Sequence, residues 1–98
     1  MKFLLMLQGD TGADLCRDEF EHAARDAGEL VGGELLADPQ LAITVPNRAR
    51  AAPIDAYYLI DVDSPVRAIE LAHLLPDTRA PGRSVEIRAV MHTTAVDY

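Results

Sequence analysis

Tyr57 to Pro76, Tyr-Tyr-Leu-Ile-Asp-Val-Asp-Ser-Pro-Val-Arg-Ala-Ile-Glu-Leu-Ala-His-Leu-Leu-Pro, carries the strongest structural signal in the chain. Tyr57 to Val62 has the aromatic and β-branched composition of a sheet strand. Asp63 or Ser64 then caps a helix whose first turn accepts Pro65, because the missing proline N–H has no intrahelical partner there. Ala68, Ile69, Ala72 and Leu75 recur at helical spacing, and Pro76 ends the run. A strand that passes into a helix within two residues lays that helix back on its own sheet. The fold class follows from this stretch. The activity does not.

On the N-terminal side, Lys2 to Gln8 predicts a strand with Phe3, Leu5 and Leu7 on one face and Leu4 and Met6 on the other, the pattern of a central strand. Asp14 to Ala27 predicts a helix with an apolar stripe of Leu15, Phe20, Ala23, Ala24 and Ala27, a Glu21–Arg25 pair, and Gly28 at its C-terminal cap. Glu29 to Leu36 is a strand interrupted by Gly32 and Gly33, which mark a bulge or a close backbone approach. Asp38-Pro39-Gln40 turns the chain, Leu41 to Val45 predicts a short strand, and Pro46 to Pro53 is a loop. On the C-terminal side, Ser84 to Met91 alternates Val85, Ile87, Ala89 and Met91 with Glu86 and Arg88, before an unpatterned tail from His92 to Tyr98.

The order β-α-β-(β)-β-α-β predicts an α+β domain over residues 1–98, a ferredoxin-like β-α-β-β-α-β antiparallel sheet with both helices on one face. One helix layer leaves the other face uncovered. A second copy of the chain is the expected cover, so a homodimer is the predicted state.

Composition narrows the function classes. An apolar fraction of 49% supports a core in a chain of 98 residues. The net charge of −7 argues against a nucleic-acid partner, which needs clustered Lys and Arg. No stretch approaches the roughly 20 apolar residues that span a bilayer. Met1 to Leu7 is too short for a signal peptide and lacks a cleavage site, so a cytoplasmic location is expected. Cys16 is the single cysteine, and Asp14, Asp18 and Glu19 around it oppose thiolate formation. The histidines His22, His73 and His92 lack metal-ligand spacing, and no cofactor motif is present. Gly9-Asp10-Thr11-Gly12 lacks the spacing and lysine of a P-loop. Its Asp-Thr-Gly matches aspartic proteases, but that chemistry needs two such carboxylates in a larger or dimeric β fold.

Four segments, taken in order, resemble the YCII-related family, whose larger branch is named for an Asp-Gly-Pro-Phe motif. They are Met1 to Met6, Ala27 to Leu36 (Ala-Gly-Glu-Leu-Val-Gly-Gly-Glu-Leu-Leu), Tyr57 to Ser64, and Ser84 to Met91. The resemblance implies the dimeric α+β barrel form of the ferredoxin-like fold. The Asp-Gly-Pro-Phe motif is replaced by Arg50-Ala51-Ala52-Pro53-Ile54-Asp55-Ala56, and the His–Asp pair of the other branch has no clear counterpart. The resemblance therefore implies fold and dimer without a site. The family's own biochemical role is largely unassigned.

Site candidates come from the residues themselves. Glu34 follows two glycines that let a ligand or a partner backbone approach, or it is a strand-end acid paired with an arginine. Asp61 shares a face with Tyr57 and Leu59. It is expected there as a desolvated general acid or base, or as half of a buried ion pair with Arg88. His22 has Asp18 and Asp26 within helical reach and is expected at the mouth of the site, or as a solvated helix-face residue. Catalytic roles thus fall to Asp61, Glu34 and His22, and substrate contacts to Arg88 and Tyr57. Two functions remain open. One is a homodimeric small-molecule binder or acid/base enzyme; the other is a non-catalytic interaction or regulatory module.

Overall fold

The computed structural model describes residues 1–10, 15–47 and 53–92. It is a small α+β fold with strands β1 (Lys2–Gly9), β2 (Leu30–Leu35), β3 (Ile54–Asp61) and β4 (Arg83–Ala89), and helices α1 (Asp18–Asp26) and α2 (Pro65–Ala72). The strands form one sheet in the order β2-β3-β1-β4, and every neighbouring pair is antiparallel. This is consistent with the ferredoxin-like expectation.

Alternation decides the layering. Phe3, Leu5 and Leu7 of β1 and Ala56, Tyr58 and Ile60 of β3 are buried against Phe20 and Ala24 of α1 and Ala68 and Leu71 of α2. Val85 and Ile87 of β4 pack onto the same cluster. Both helices therefore cover one sheet face. Each fully buried aliphatic side chain there contributes roughly 1.5–3 kcal/mol relative to exposure.

Local chemistry sets the helix ends. The Ser64 hydroxyl accepts from the Arg67 N–H at 3.3 Å, and Pro65 occupies the first turn of α2. At the end of α1, Gly28 takes φ +70 while its N–H bonds the Arg25 carbonyl and the Glu29 N–H bonds the Ala24 carbonyl. That is a Schellman closure, which favours glycine at this position.

Three boundaries differ from expectation. Helix α1 begins at Asp18 with Arg17 as its cap residue; Leu15 and Cys16 precede it, and the expected start at Asp14 lies outside the described residues. Leu41 to Val45 is no strand: Pro39–Leu41 is a 3₁₀ turn capped by Asp38, whose carboxylate accepts from the Gln40 N–H at 2.8 Å. A strand needs a neighbour, and the alternation of Leu41 to Val45 finds none among the described residues. Helix α2 stops at Ala72 instead of running to Pro76, and a second 3₁₀ turn spans Pro76–Thr78. Thr11 and Gly12, the centre of the 46–53 loop and the tail from residue 93 lie outside the described residues. No helix is long and apolar enough to cross a membrane among those described.

Candidate functional site

Strand register assigns side chains to the sheet face that no described helix covers. Two rows cross it. One runs Glu34, Tyr57, Met6, Glu86, and the next runs Gly32, Leu59, Leu4, Arg88. Asp61 lies opposite Lys2 at the end of the face. Leu4, Met6, Tyr57 and Leu59 form its half-buried centre, and Glu34, Arg88 and Asp61 are exposed around it.

Four of the five residues singled out in the sequence thus share one face, and two of them touch. The Tyr57 hydroxyl donates to Glu34 Oε2 at 3.4 Å. Arg88 pairs with Glu86 two residues away, not with Asp61. Asp61 is not desolvated: half its side chain is exposed, and its carboxylate meets the Met1 amino group at 3.1 Å. Position at the strand end, where β3 leaves the sheet for α2, keeps it in water. His22 is exposed on α1, which fits the solvated helix-face alternative.

The paired glycines separate by face. A Cβ on Gly33 would lie 2.5 Å from Tyr58 Cδ1 and 2.7 Å from the Tyr57 carbonyl oxygen. The close approach predicted for the pair is therefore made at Gly33 by the protein's own tyrosine ring. A Cβ on Gly32 would meet nothing within 4 Å, which leaves a notch in the open face beside Leu59. The register shifts between Leu30 and Gly32, with Val31 as the extra residue of a bulge on this edge strand.

On the helix side lies a constellation that the sequence did not announce. Asp77 is fully buried and takes Arg17 as a two-pronged partner, Nε to Oδ1 at 3.0 Å and Nη2 to Oδ2 at 2.9 Å. Arg83 Nη2 reaches the same Asp77 Oδ2 at 2.7 Å and also Asp55 Oδ1 at 2.9 Å, while Nη1 binds Asp55 Oδ2 and the Asp10 carbonyl, both at 2.8 Å. Asp55 is the unpaired residue where β3 shifts register against β1. Burial pushes the Asp77 carboxyl up, but hydrogen bonds and charge from Arg17 and Arg83 outweigh it and hold the group below its ordinary value. The four charges alternate and cancel. Only Arg83 Nε lacks a partner among buried side-chain nitrogens and oxygens of the described residues.

Beside the cluster, the Tyr58 hydroxyl donates to Glu21, and the Tyr58 ring packs on Phe20 at a centroid distance of 4.6 Å. Burial first, then the Glu21 carboxylate, raise the Tyr58 hydroxyl above its ordinary value. Glu21, Gly33, Glu34, Leu35, Ala56 and Tyr58 line a cleft of about 150 Å³ at the β2 edge. A second cleft of about 470 Å³ includes Glu29, Asp61 and Asp63. No group of three or more metal-ligating side chains occurs among the described residues.

Arg17, Asp77 and Arg83 escaped sequence reading because Asp77 to Arg83 has the composition of a turn and Arg17 lies 60 residues from Asp77. The single hint is an acid directly after Leu74-Leu75-Pro76, at the end of an apolar run. Each charged group in the cluster has an oppositely charged partner, and Arg83 Nε alone among its buried polar atoms is left without one, so the cluster reads as a structural ion network. Among the described residues, the open face brings together an acid, a phenol and an exposed guanidinium. No protein-family model matches this chain, and no curated protein matches it.

Proposed function

We propose that the chain is a homodimeric small-molecule-binding protein of the YCII-related type, working in the cytoplasm, with its ligand held between the open sheet face and the partner subunit. The observation that carries this reading is the sheet face that no described helix covers: Leu4, Met6, Tyr57 and Leu59 ringed by Glu34, Glu86 and Arg88. An apolar floor with a few convergent polar groups is the general form of a ligand site, and pairing two such faces builds the walls that one chain lacks. Glu34 is the hydrogen-bonding or proton-transferring group, Tyr57 positions it, and Arg88 meets negative charge on the ligand. Closure of the barrel would strip water from Glu34 and favour acid/base chemistry there.

The test combines light scattering at micromolar concentration with a thermal-shift screen of small metabolites on wild type, Leu59→Glu and Glu34→Gln. A dimeric wild type that becomes monomeric with Leu59→Glu, and a ligand whose stabilisation is lost with Glu34→Gln, are the expected results. A monomeric wild type overturns the reading. A second reading, a non-catalytic interaction module, is favoured by the pairing of Arg88 with Glu86 and of Asp61 with the Met1 amino group. A dimer that no metabolite stabilises selects it.

A further inference from the structure

The connection after β2 is as apolar as a core segment and lies outside the core. Leu35 is 79% exposed, Leu41 73%, Ile43 91% and Val45 89%. Between Leu36, Leu41 and Ile54 the same segment encloses a groove of about 390 Å³. Knob and groove thus occur on one connection of one chain. That is what an isologous two-fold contact requires, since the same patch must supply both halves.

We infer that this connection, Leu35 to Val45, docks on a second copy of the chain, with Ile43 and Val45 of one subunit seated in the Leu36–Leu41–Ile54 groove of its partner. The inference rests on the homodimer reading and deepens it. Area and two-fold symmetry select the occupant. The exposed apolar residues of the connection, Leu35, Leu36, Leu41, Ile43 and Val45, approach together the scale of the ~800 Å² per partner of a standard specific interface. Two copies that each carry a net charge of −7 repel, so the contact that joins them has to be apolar.

Sedimentation equilibrium of the full chain tests this with an Ile43→Asp, Val45→Asp double variant beside wild type and Leu59→Glu. Both side chains are about nine-tenths exposed, so the double variant keeps its far-UV circular dichroism. The expected result is a dimer dissociation constant raised at least tenfold. An unchanged constant in a dimeric wild type overturns the inference and leaves the homodimer standing. A monomeric wild type overturns both. Weakening by the double variant with no effect of Leu59→Glu supports the connection as the interface and removes the sheet face from it.

Discussion

Under the helices, Asp77 is held between two guanidinium groups with no side-chain surface in water, while on the opposite sheet face Arg88 holds Glu86 with 71% of its own side chain exposed. The two regions use the same residue types for different ends. Asp77 and Arg83 each bind two ionic partners, so losing one leaves a charge stranded in a dry site. Arg88 and Asp61 can turn to water or to a ligand at little cost. Number of partners and burial, not residue type, separate charges that hold the fold from charges free to act on something else.

The largest test of that contrast is Asp77→Ala. Removing the acid strands Arg17 and leaves Arg83 with Asp55 alone, and the expected loss is about 3–5 kcal/mol in urea unfolding, a large share of the total stability of a small domain. The pH dependence has a definite sign. The Asp77 pKa is lowered on folding, so its contribution is present above the unfolded value near 4 and is lost as pH falls through the folded value. Wild type should lose stability below about pH 4, and Asp77→Asn should flatten that slope. A loss under about 1 kcal/mol for Asp77→Ala would erase the distinction between the two faces.

A finer test uses adjacent glycines that face opposite ways. Gly33→Ala drives a Cβ into the Tyr58 ring and the Tyr57 carbonyl, at an expected cost of about 1–3 kcal/mol. Gly32→Ala enters open space and is expected to be neutral or stabilising by about 0.5 kcal/mol. Thermal melts of the two variants in parallel read the difference. Reversal of their order would mean that the open face is already filled. The smallest effect belongs to Arg88→Ala, expected to cost the isolated chain less than about 0.5 kcal/mol. A larger loss by chemical denaturation would show that Arg88 is structural after all.

How much of this was legible in the sequence follows the same division. Strand β1, strand β4 and the Ser64–Pro65 helix start were readable because alternation and capping are local signals. The face shared by Tyr57, Leu59 and Asp61 was readable for the same reason: the strand period of two fixes the side once the core side is known. Asp61 was misjudged because burial depends on what lies beyond the strand end. The Leu41–Val45 strand was misjudged because alternation shows a preference but cannot supply a neighbouring strand. The Arg17–Asp77–Arg83–Asp55 cluster was invisible because its partners meet only after the sheet is assembled.

The strand order has a consequence for how the chain comes into being. Strand β1 pairs with β3 and β4, and β2 pairs with β3 alone. Among the described residues, neither the half before residue 48 nor the half after residue 52 contains a single strand pair of its own. A nascent chain leaving the ribosome has no ladder to form until β3 has emerged, and its second edge stays open until Ala89 arrives. A chain cut between the halves would behave like a two-part key: each piece is silent, and the sheet exists only where both are present.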